Sequence, residues 1–502
     1  MRTPTAGFHP DFDNGRIPYT SPVGHFAPNG YGLYDMDGNV AEAVYSEGDP
    51  SIEFDKLHAG GLFRSAFTNR SANWHSGVGG SIDFNHPANR PYGETVSFSI
   101  GIRFALPGFA SPLVPPAISS RNFATANIGQ SFSYQITAYN HPDSFNATGL
   151  PAGLTVDTRT GLITGVPTQT GSRVFKVYAN NESGSGSMKV RLNIAPAHMP
   201  IVPAGIVRLH AEPNLPGTAR PIHRVANLDD FAIDKYEVTN DRMVEVLQWA
   251  FDNGKIFLNT TNYYLMNSEG SPQWLYYMFA QDQRIRFDGT TFTMKAAQTS
   301  GYPCSEVTWY GAVAFCNFLT EMEGSGRTPC YDLNTWTCDW TATGYRLPTE
   351  AEWEKAARGG LVGARFPWGD TITHSNANYR SREIETYDLS PTRDYHPDFL
   401  GGRSPRTSPV GYFPPNGYGL YDMAGNAAEW VWDRYTVIPE GSEAGTLFNP
   451  TGPQTGDGRV IKGGHWRSYD YQVRASSRAF LRPERLGFHN GFRTVLPSVP
   501  SE

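Results

Sequence analysis

The chain has 502 residues, with 41 lysines and arginines against 48 aspartates and glutamates, which gives a net charge of −7. This length exceeds a single compact core and predicts roughly two to four domains. With 18% charged and 39% hydrophobic residues, the composition is that of a folded protein rather than a disordered one. The sequence has no basic run, which argues against nucleic-acid binding, and no apolar stretch near the roughly 20 residues that span a bilayer.

An internal repeat opens and closes the chain. Residues 21–44, "SPVGHFAPNGYGLYDMDGNVAEAV", and residues 408–431, "SPVGYFPPNGYGLYDMAGNAAEWV", are identical at 19 of 24 positions. The match continues downstream in two further pairs of segments, 59–67 with 462–470 and 101–106 with 491–496. We therefore predict a partial domain over 1–106 and a complete copy over 200–497. Because half a domain leaves apolar surface unburied, at about 25 cal/mol per Å², we expect the sequence to be part of a longer protein.

A different module lies between the two copies, bounded by Pro-rich segments at 107–118 and 195–205. Hydrophobic residues alternate with polar ones in two of its segments, Phe132, Tyr134 and Ile136 in the first and Met188, Val190, Leu192 and Ile194 in the second. Short alternating strands separated by turns predict a small β-sandwich over 118–196. The segment "GLPAGLTVDTRTGLITGVPTQTG" at 149–171 resembles immunoglobulin-like modules of bacterial surface and secreted proteins, which are usually spacers.

Three helices are predicted within 200–497. Thr349 and Glu352 form a capping-box pattern before the apolar stripe of "EWEKAARGG". A second helix is expected after Thr239, and a third from Thr308 through Leu319. After about residue 360 the sequence becomes rich in Gly, Asn, Pro and aromatic residues, with short strands such as "RVIKGG".

The four cysteines lie close together in the sequence, at Cys304, Cys316, Cys330 and Cys338. A disulfide between Cys330 and Cys338 would close a short loop. Because no Cys-x-x-Cys pattern is present, a zinc ribbon is not expected. Buried or disulfide-bonded structural cysteines are the simpler interpretation.

Six motifs occur in order in the C-terminal copy: "DKYEVTN", "GYRLPTEAEWEKAARGG", "FPWGD", "NGYGLYDMAGNAAEWVWD", "GRVIKGGHWRS" and "GFRTV". Together they resemble the sulfatase-modifying factor family, whose founding activity is the formylglycine-generating enzyme. The resemblance implies an α+β fold class. Residues 200–497 would be a C-type-lectin-like domain of the formylglycine-generating-enzyme type, with little regular secondary structure. Residues 1–106 would be the C-terminal part of the same fold, joined to it by the small all-β immunoglobulin-like sandwich.

In active enzymes of this family, two cysteines after the Gly-Gly-x-Trp motif bind copper(I), and one bonds transiently to the substrate cysteine. Thiolates suit both tasks, as soft metal ligands and as nucleophiles. Here the segment 463–471 reads "GGHWRSYDY", with Ser468 and Asp470 nearest the expected positions, and "GGLFRSAFTNRS" in the first copy also lacks cysteine. We therefore expect neither copper nor a catalytic residue. His465, Ser468 and Asp470 include the residue types of a nucleophile triad, but such neighbours on a Gly-rich loop are usually hydrogen-bonding surface groups.

The resemblance also implies structural calcium, held by hard oxygen ligands. Position by position, the ligands would be the side chains of Asp422 and Glu429 and the carbonyls of Gly425 and Ala427. The matching residues of the first copy are Asp35, Gly38, Val40 and Glu42. A second family site maps to Asn378 and Tyr379, with Asp398 as a candidate from the other side. The alternative is that Asp422 and Glu429 cap turns and pair with arginines.

Aromatic rings, arginines and small polar groups follow the Gly-Gly turn, and such groups suit recognition through stacking and hydrogen bonding. The candidate binding surface is His465, Trp466, Ser468, Tyr469, Asp470, Tyr471 and Arg474. The sequence favours a non-catalytic, lectin-like binding or structural module with an unknown protein, peptide or glycan ligand. The company of the immunoglobulin-like module predicts an extracellular, periplasmic or cell-envelope location, although the N-terminus has no visible signal peptide. Two alternatives stay open: a formylglycine-generating type of enzyme that works through a different site, and a ligand-display protein diversified over 465–490.

Overall fold

A computed structural model of the protein describes residues 41–44, 57–59, 75–76, 100–102, 114–210, 224–278, 284–296, 299–400, 406–437, 446–487 and 489–498. The chain divides into two compact units, residues 1–112 and residues 113–502. Within the described residues, no helix is long and apolar enough to cross a membrane.

The described part of the first unit is one four-stranded sheet. Its strands are β1 (Ala41–Val44), β2 (Leu57–Ala59), β3 (His75–Ser76) and β4 (Ile100–Ile102). They lie in the order β3-β2-β1-β4, with β1 antiparallel to β2 and parallel to β4. The register pairs Glu42 with Ala59 on one side and with Gly101 on the other.

The second unit begins with a two-sheet module. Its strands are β5 (Ala117–Ile118), β6 (Phe123–Asn127), β7 (Phe132–Gln135), β8 (Ala138–Tyr139), β9 (Ser144–Thr148), β10 (Leu154–Val156), β11 (Leu162–Gly165), β12 (Gly171–Asn181) and β13 (Gly184–Ala195). One sheet has the order β10-β11-β7 and the other β6-β13-β12-β9. The predicted alternation is confirmed, because Tyr134, Val190 and Leu192 are buried in the core between the sheets.

The Pro-rich segment after β13 is packed against the following domain. Met199 and Val202 are 0% exposed. Polar contacts also join the module to that domain: Arg327 donates to the Ile194 carbonyl at 2.6 Å, and Arg121 pairs with Asp229 at 2.9 Å. The module is therefore a fixed part of the second unit.

The three predicted helices are present, as α1 (Asn240–Asp252), α2 (Trp309–Glu323) and α3 (Glu350–Arg358). Each begins after the predicted threonine cap, and the capping box of Thr349 with Glu352 is formed. Helix α2 runs beyond Leu319 and ends at Gly324, whose φ of 56° lies in the left-handed region that favours glycine.

The remaining strands of the second unit are short. They are β14 (Ile201–Val202), β15 (Gly205–Leu209), β16 (Arg224–Leu228), β17 (Phe231–Ile233), β18 (Ile256–Asn259), β19 (Tyr264–Asn267), β20 (Trp274–Tyr277), β21 (Ile285–Phe287), β22 (Phe292–Met294), β23 (Tyr331–Asp332), β24 (Thr337–Cys338), β25 (Ala428–Arg434), β26 (Leu447–Phe448), β27 (Arg459–Lys462), β28 (Ala479–Leu481), β29 (Asn490–Gly491) and β30 (Val495–Pro497). Trp309, Trp353 and Trp430 are fully buried among the helices and sheets.

One of these sheets repeats the sheet of the first unit. Its order is β28-β27-β25-β29, with β25 antiparallel to β27 and parallel to β29. Glu429 pairs in register with Lys462 and Gly491, as Glu42 pairs with Ala59 and Gly101. The sequence repeat is therefore also a repeat of strand order, direction and register.

Candidate functional site

The candidate site is built on the Gly463–Gly464 turn that follows β27. Both glycines have positive φ, 80° and 67°, which side-chain-bearing residues rarely adopt. A Cβ atom at Gly463 would lie 3.1 Å from the Trp353 ring, and one at Gly464 would lie 2.8 Å from Val473 Cγ1. The turn therefore needs two glycines to bring the next segment close to α3 and Val473.

His465 and Ser468 close a tight turn through main-chain groups. The His465 amide donates to Ser468 Oγ at 3.1 Å, and the Ser468 amide donates to the His465 carbonyl at 2.7 Å. His465 Nδ1 accepts from the Arg467 amide at 3.1 Å. Burial, with smaller contributions from His489 and Arg467, lowers the pKa of His465 to about 3, so this imidazole is neutral in the folded protein.

Asp470 faces away from this turn. It is 0% exposed and accepts from Arg382 Nε at 3.1 Å. Burial raises the pKa of Asp470, although Arg382 opposes the shift. The His465 ring is bonded to the Arg467 amide, the Ser468 hydroxyl to the His465 amide and Asp470 to Arg382, so the three side chains are not linked as a nucleophile triad.

The side chain beside Ser468 is Val473. A Cβ atom at Gly464 would lie 2.8 Å from Val473 Cγ1 and 3.2 Å from Ser468 Cβ, so these two atoms are no more than 6.0 Å apart. Both residues are buried. That Ser468 and Asp470 lie nearest the thiol positions stays a prediction. The short 3-10 helix Asp470–Gln472 turns Asp470 toward Arg382 and brings Val473 back under the turn.

Tyr469 and Tyr471 form an aromatic surface with two arginines. Their rings are nearly parallel, with centroids 6.1 Å apart, and the Arg382 guanidinium lies 4.7 and 4.5 Å from the two centroids. The Arg380 guanidinium lies 4.9 Å from the Tyr469 ring and donates to its hydroxyl at 2.9 Å. Tyr395 packs on Arg380 at 5.0 Å. We call these five residues the tyrosine–arginine surface.

Trp466 lies beside this surface and Arg474 lies apart from it. The Trp466 ring contacts Tyr395 at 5.6 Å and His489 at 4.9 Å, and the Arg406 guanidinium lies 5.3 Å from its centroid. Arg474 instead packs on the Tyr387 ring at 5.0 Å. Of the predicted surface, His465, Trp466, Tyr469 and Tyr471 are therefore brought together, while Ser468 and Asp470 are buried beneath it. Arg380, Arg382 and Tyr395 carry no nearby motif in the sequence and were missed.

A small cavity lies beside Trp466. It encloses about 10 Å³, which is space for about one water molecule. Asn378, Tyr395, His396 and Arg406 are among the residues that line it. Small-molecule sites usually enclose a few hundred Å³, so this cavity is too small to hold such a ligand.

The predicted calcium residues of the second copy lie in a buried carboxylate cluster. Glu429 accepts from Arg493 through both oxygens at 2.7 Å, and its Oε2 also accepts from Trp353 Nε1 at 2.7 Å. Asp422 Oδ2 accepts from the Gly411 amide at 2.7 Å, while its Oδ1 is buried without a hydrogen-bond partner. Glu237 is the third carboxylate of the cluster, and Arg493 is the cation that pairs with Glu429.

Burial dominates the electrostatics of this cluster. It raises the pKa of Asp422 to about 6 and the pKa of Glu237 well above its usual value, and the neighbouring carboxylates add to the shift of Glu237. Asp422 Oδ1 has no hydrogen-bond partner and fits a cation. Both oxygens of Glu429 already accept hydrogen bonds from Arg493, so a metal ion at Glu429 would compete with that guanidinium. Among the described residues, no group of three or more His, Cys, Asp or Glu side chains is arranged to hold a metal ion.

The other predicted calcium residues make separate hydrogen bonds. The Asn378 carbonyl accepts from the Asn426 amide at 2.9 Å, and the Tyr379 hydroxyl donates to Asp388 at 2.8 Å. Asp398 accepts from the Tyr412 hydroxyl at 3.1 Å. In the first copy, Asp35, Gly38 and Val40 lie outside the described residues, and Glu42 is described only as a backbone position in β1. Calcium at either set stays a prediction.

All four cysteines are free thiols, and the predicted Cys330–Cys338 disulfide is absent. Across the β23–β24 ladder Cys338 is paired with Tyr331, not with Cys330. The Cys330 thiol instead donates to the Gly344 carbonyl at 3.3 Å. Burial raises the pKa of Cys304 and Cys330 to about 12, so these thiols are not poised to form thiolates.

The fold and the site define a class of protein: a sheet-rich α+β domain with three capped helices and a Gly-Gly surface turn, attached to a two-sheet module. Comparison with family models agrees. The model described as "Sulfatase-modifying factor enzyme 1-like domain" matches residues 5–92 and 187–497, and the model described as "Putative Ig domain" matches residues 115–195. The chain belongs to the sulfatase-modifying factor family.

Curated relatives agree with this assignment. The chain is 30% identical over 343 residues to the formylglycine-generating enzyme of Bos taurus, covering 64% of this chain and 81% of that protein. It is 31% identical over 313 residues to the formylglycine-generating enzyme of Thermomonospora curvata, covering 59% and 92%. Among solved structures, Treponema denticola variable protein 1 matches with a TM-score of 0.40 and 23% identity, over 64% of this chain and 99% of that one. The family assignment rests on the family model and the relatives, not on that structure.

Proposed function

We propose that this protein is a non-catalytic member of its family, a lectin-like binding or structural module that acts outside the cytoplasm. The observation that carries the proposal is the pair of side chains beneath the Gly-Gly turn, a hydroxyl at Ser468 and an isopropyl group at Val473. Neither supplies the soft, nucleophilic sulfur that copper binding and bonding to a substrate cysteine require. The cysteines that the chain does contain are largely buried and lie elsewhere in the fold.

The tyrosine–arginine surface is the part of the site that we expect to bind. Tyrosine, tryptophan and arginine dominate the energetics of macromolecular interfaces, because they present large rigid contact areas together with hydrogen-bond donors. Tyr471 is 40% exposed, and the cavity beside Trp466 holds only about 10 Å³, so a ligand would lie on the surface rather than in a pocket. The immunoglobulin-like module supports a location in an extracellular or envelope compartment.

Two experiments test this function. In the first, the protein is incubated with a Cys-x-Pro-x-Arg peptide, copper and a reductant, and mass spectrometry follows the peptide. We expect the cysteine to remain unchanged, and formylglycine in the product would show that the protein is an enzyme.

The second experiment tests the surface. A photo-crosslinking amino acid at position 471 is compared with the same group at Tyr139, which is 69% exposed in the other module. We expect a discrete crosslinked species in envelope extracts from position 471 alone. Equal yields from both positions would show that the tyrosine–arginine surface has no special role.

A further inference from the structure

A second surface, remote in sequence from the Gly-Gly turn, lies on the sheet β18-β19-β20. One side of this sheet packs against the helices, with Leu265, Leu275 and Tyr276 in the main core. The other side presents Phe257, Tyr264, Met266, Trp274 and Tyr277, which the strand register brings together. We call these five residues the outward aromatic face.

The rings of this face are both exposed and held in place by one another. Phe257 is 42% exposed and Trp274 is 40% exposed. The Tyr264 and Trp274 rings are stacked, with centroids 4.5 Å apart and an angle of 15° between their planes. The Tyr277 ring also packs against the Tyr264 ring, with centroids 4.8 Å apart. Because the rings are already packed on each other, little rotamer entropy is lost when a ligand stacks on them.

The charge of the surface indicates what it binds. None of the twelve residues of β18, β19 and β20 carries a charged side chain, although 18% of the chain is charged. An anionic ligand would find no cation within these strands, and a cationic ligand would find ring faces but no carboxylate. Ion pairing therefore does not contribute, and the surface suits a neutral ligand.

The size of the face also restricts the occupant. Three strands about 4.8 Å apart and four residues long, at about 3.3 Å per residue, cover about 200 Å². A stable protein–protein interface buries about 800 Å² on each partner, so this face alone is too small for a second copy of the chain. Along the strands the face is about 13 Å long, which is the length of a short oligosaccharide of two or three rings.

We propose that the outward aromatic face binds a neutral oligosaccharide, whose C–H groups stack on Trp274 and its neighbours. Aromatic rings offer broad apolar contact to the C–H side of a pyranose, and the polar edges of the sugar remain in water. This site is independent of the binding function proposed for the tyrosine–arginine surface, and it uses no carboxylate that would require calcium.

The test uses the full chain and two neutral probes, cellohexaose and chitohexaose, in the presence of EDTA. Saturation-transfer NMR and tryptophan fluorescence measure binding. We expect at least one probe to bind, and Trp274→Ala to weaken binding at least tenfold. Trp340→Ala is the matched control, because Trp340 is 36% exposed in the same domain but packs edge-on against Trp432, away from this face.

Three outcomes would overturn the proposal. The first is no binding of either hexasaccharide at millimolar concentration by the wild-type chain. The second is an equal effect of Trp274→Ala and Trp340→Ala. The third is a concentration-dependent dimer that Trp274→Ala disperses, because a second copy would then be the occupant. Circular dichroism of each variant separates loss of binding from loss of fold.

Discussion

Around Glu429 the side chains form hydrogen bonds that join distant segments, whereas Ser468 and Val473 make few polar contacts. Glu429 ties Arg493 to Trp353, and so links β25, α3 and the segment before β30 through three hydrogen bonds of 2.7 Å. The Ser468 hydroxyl accepts one hydrogen bond, from the His465 amide, and Val473 contributes only packing. Family motifs in the first region therefore carry the fold, while the residues that would carry the family's chemistry lie in the second. This separation explains how a member of the family can retain its architecture without cysteines in the segment after the Gly-Gly turn.

The largest expected effect comes from breaking the Glu429 cluster. Arg493→Met leaves Glu429 buried beside Asp422 and Glu237 without its cation, and removing one partner of a buried ion pair typically costs about 3–5 kcal/mol. Denaturant unfolding measures the change in the free energy of unfolding. The matched control is Arg382→Met, whose side chain is 25% exposed where it pairs with Asp470, and we expect it to cost less. A cost below that of the control would contradict the structural role of the cluster.

Calcium provides a second test of the difference between the Glu429 cluster and the Gly-Gly turn, because its predicted ligands lie in the cluster and not at the turn. If calcium uses the orphaned Asp422 oxygen, a concentration 100-fold above its dissociation constant adds about 2.7 kcal/mol to the free energy of unfolding. Asp422→Ala should abolish this gain, and Asp470→Ala, which removes a buried carboxylate outside the cluster, should not. Thermal unfolding in calcium and in EDTA provides the measurement. Identical curves for the wild-type protein in both buffers would leave Arg493 as the cation of this cluster.

Lowering the pH tests the stability of the Gly-Gly turn, because His465 in this turn is neutral in the folded state. With a folded pKa of about 3 and an unfolded value of about 6.5, only the unfolded chain binds this proton between those pH values. Stability is therefore lost as pH falls, by about 2 kcal/mol between pH 7 and pH 5 from this residue. The raised pKa of Asp422 has the opposite effect on stability, because the folded protein then binds the extra proton as pH falls. A comparison of the wild type with a His465 variant cancels this contribution.

His465→Asn isolates this contribution, because its amide oxygen can accept from the Arg467 amide without titrating. We expect the free energy of unfolding of the variant, relative to that of the wild type, to rise by about 2 kcal/mol as pH falls from 7 to 5, because only the wild type loses the His465 contribution. Urea unfolding at both pH values measures it. A difference that does not vary with pH would show that His465 titrates normally in the folded protein.

Local chemistry made much of this fold predictable, and long-range packing made the rest of it unpredictable. The threonine caps and the apolar stripes that follow them fix all three helices, because their signals lie within a few residues. The Gly-Gly turn and the strand repeat were predicted from motifs. By contrast, Arg380 and Arg382 reach Tyr469 and Tyr471 from more than 80 residues away, and nothing in their own neighbourhood signals this contact. The same applies to the packed Pro-rich segment, because proline content alone does not show whether a linker finds a surface.

A double cysteine variant should disturb the fold least of all these changes. It also tests most directly what we propose separates this protein from the family's enzymes. Ser468→Cys with Val473→Cys places two thiols under the Gly-Gly turn, where the present side chains lie within 6.0 Å of one another. We expect a change in the free energy of unfolding of no more than about 1–2 kcal/mol, because a small side chain replaces one of similar size at each position. We also expect the double variant to bind copper(I), measured by competition with a chromogenic chelator, while Ser468→Cys with Asp470→Cys serves as the control. In the control the second thiol would face Arg382, so it should bind copper(I) no better than a single cysteine. Equal copper binding by the two double variants would show that Val473 does not occupy the second thiol position.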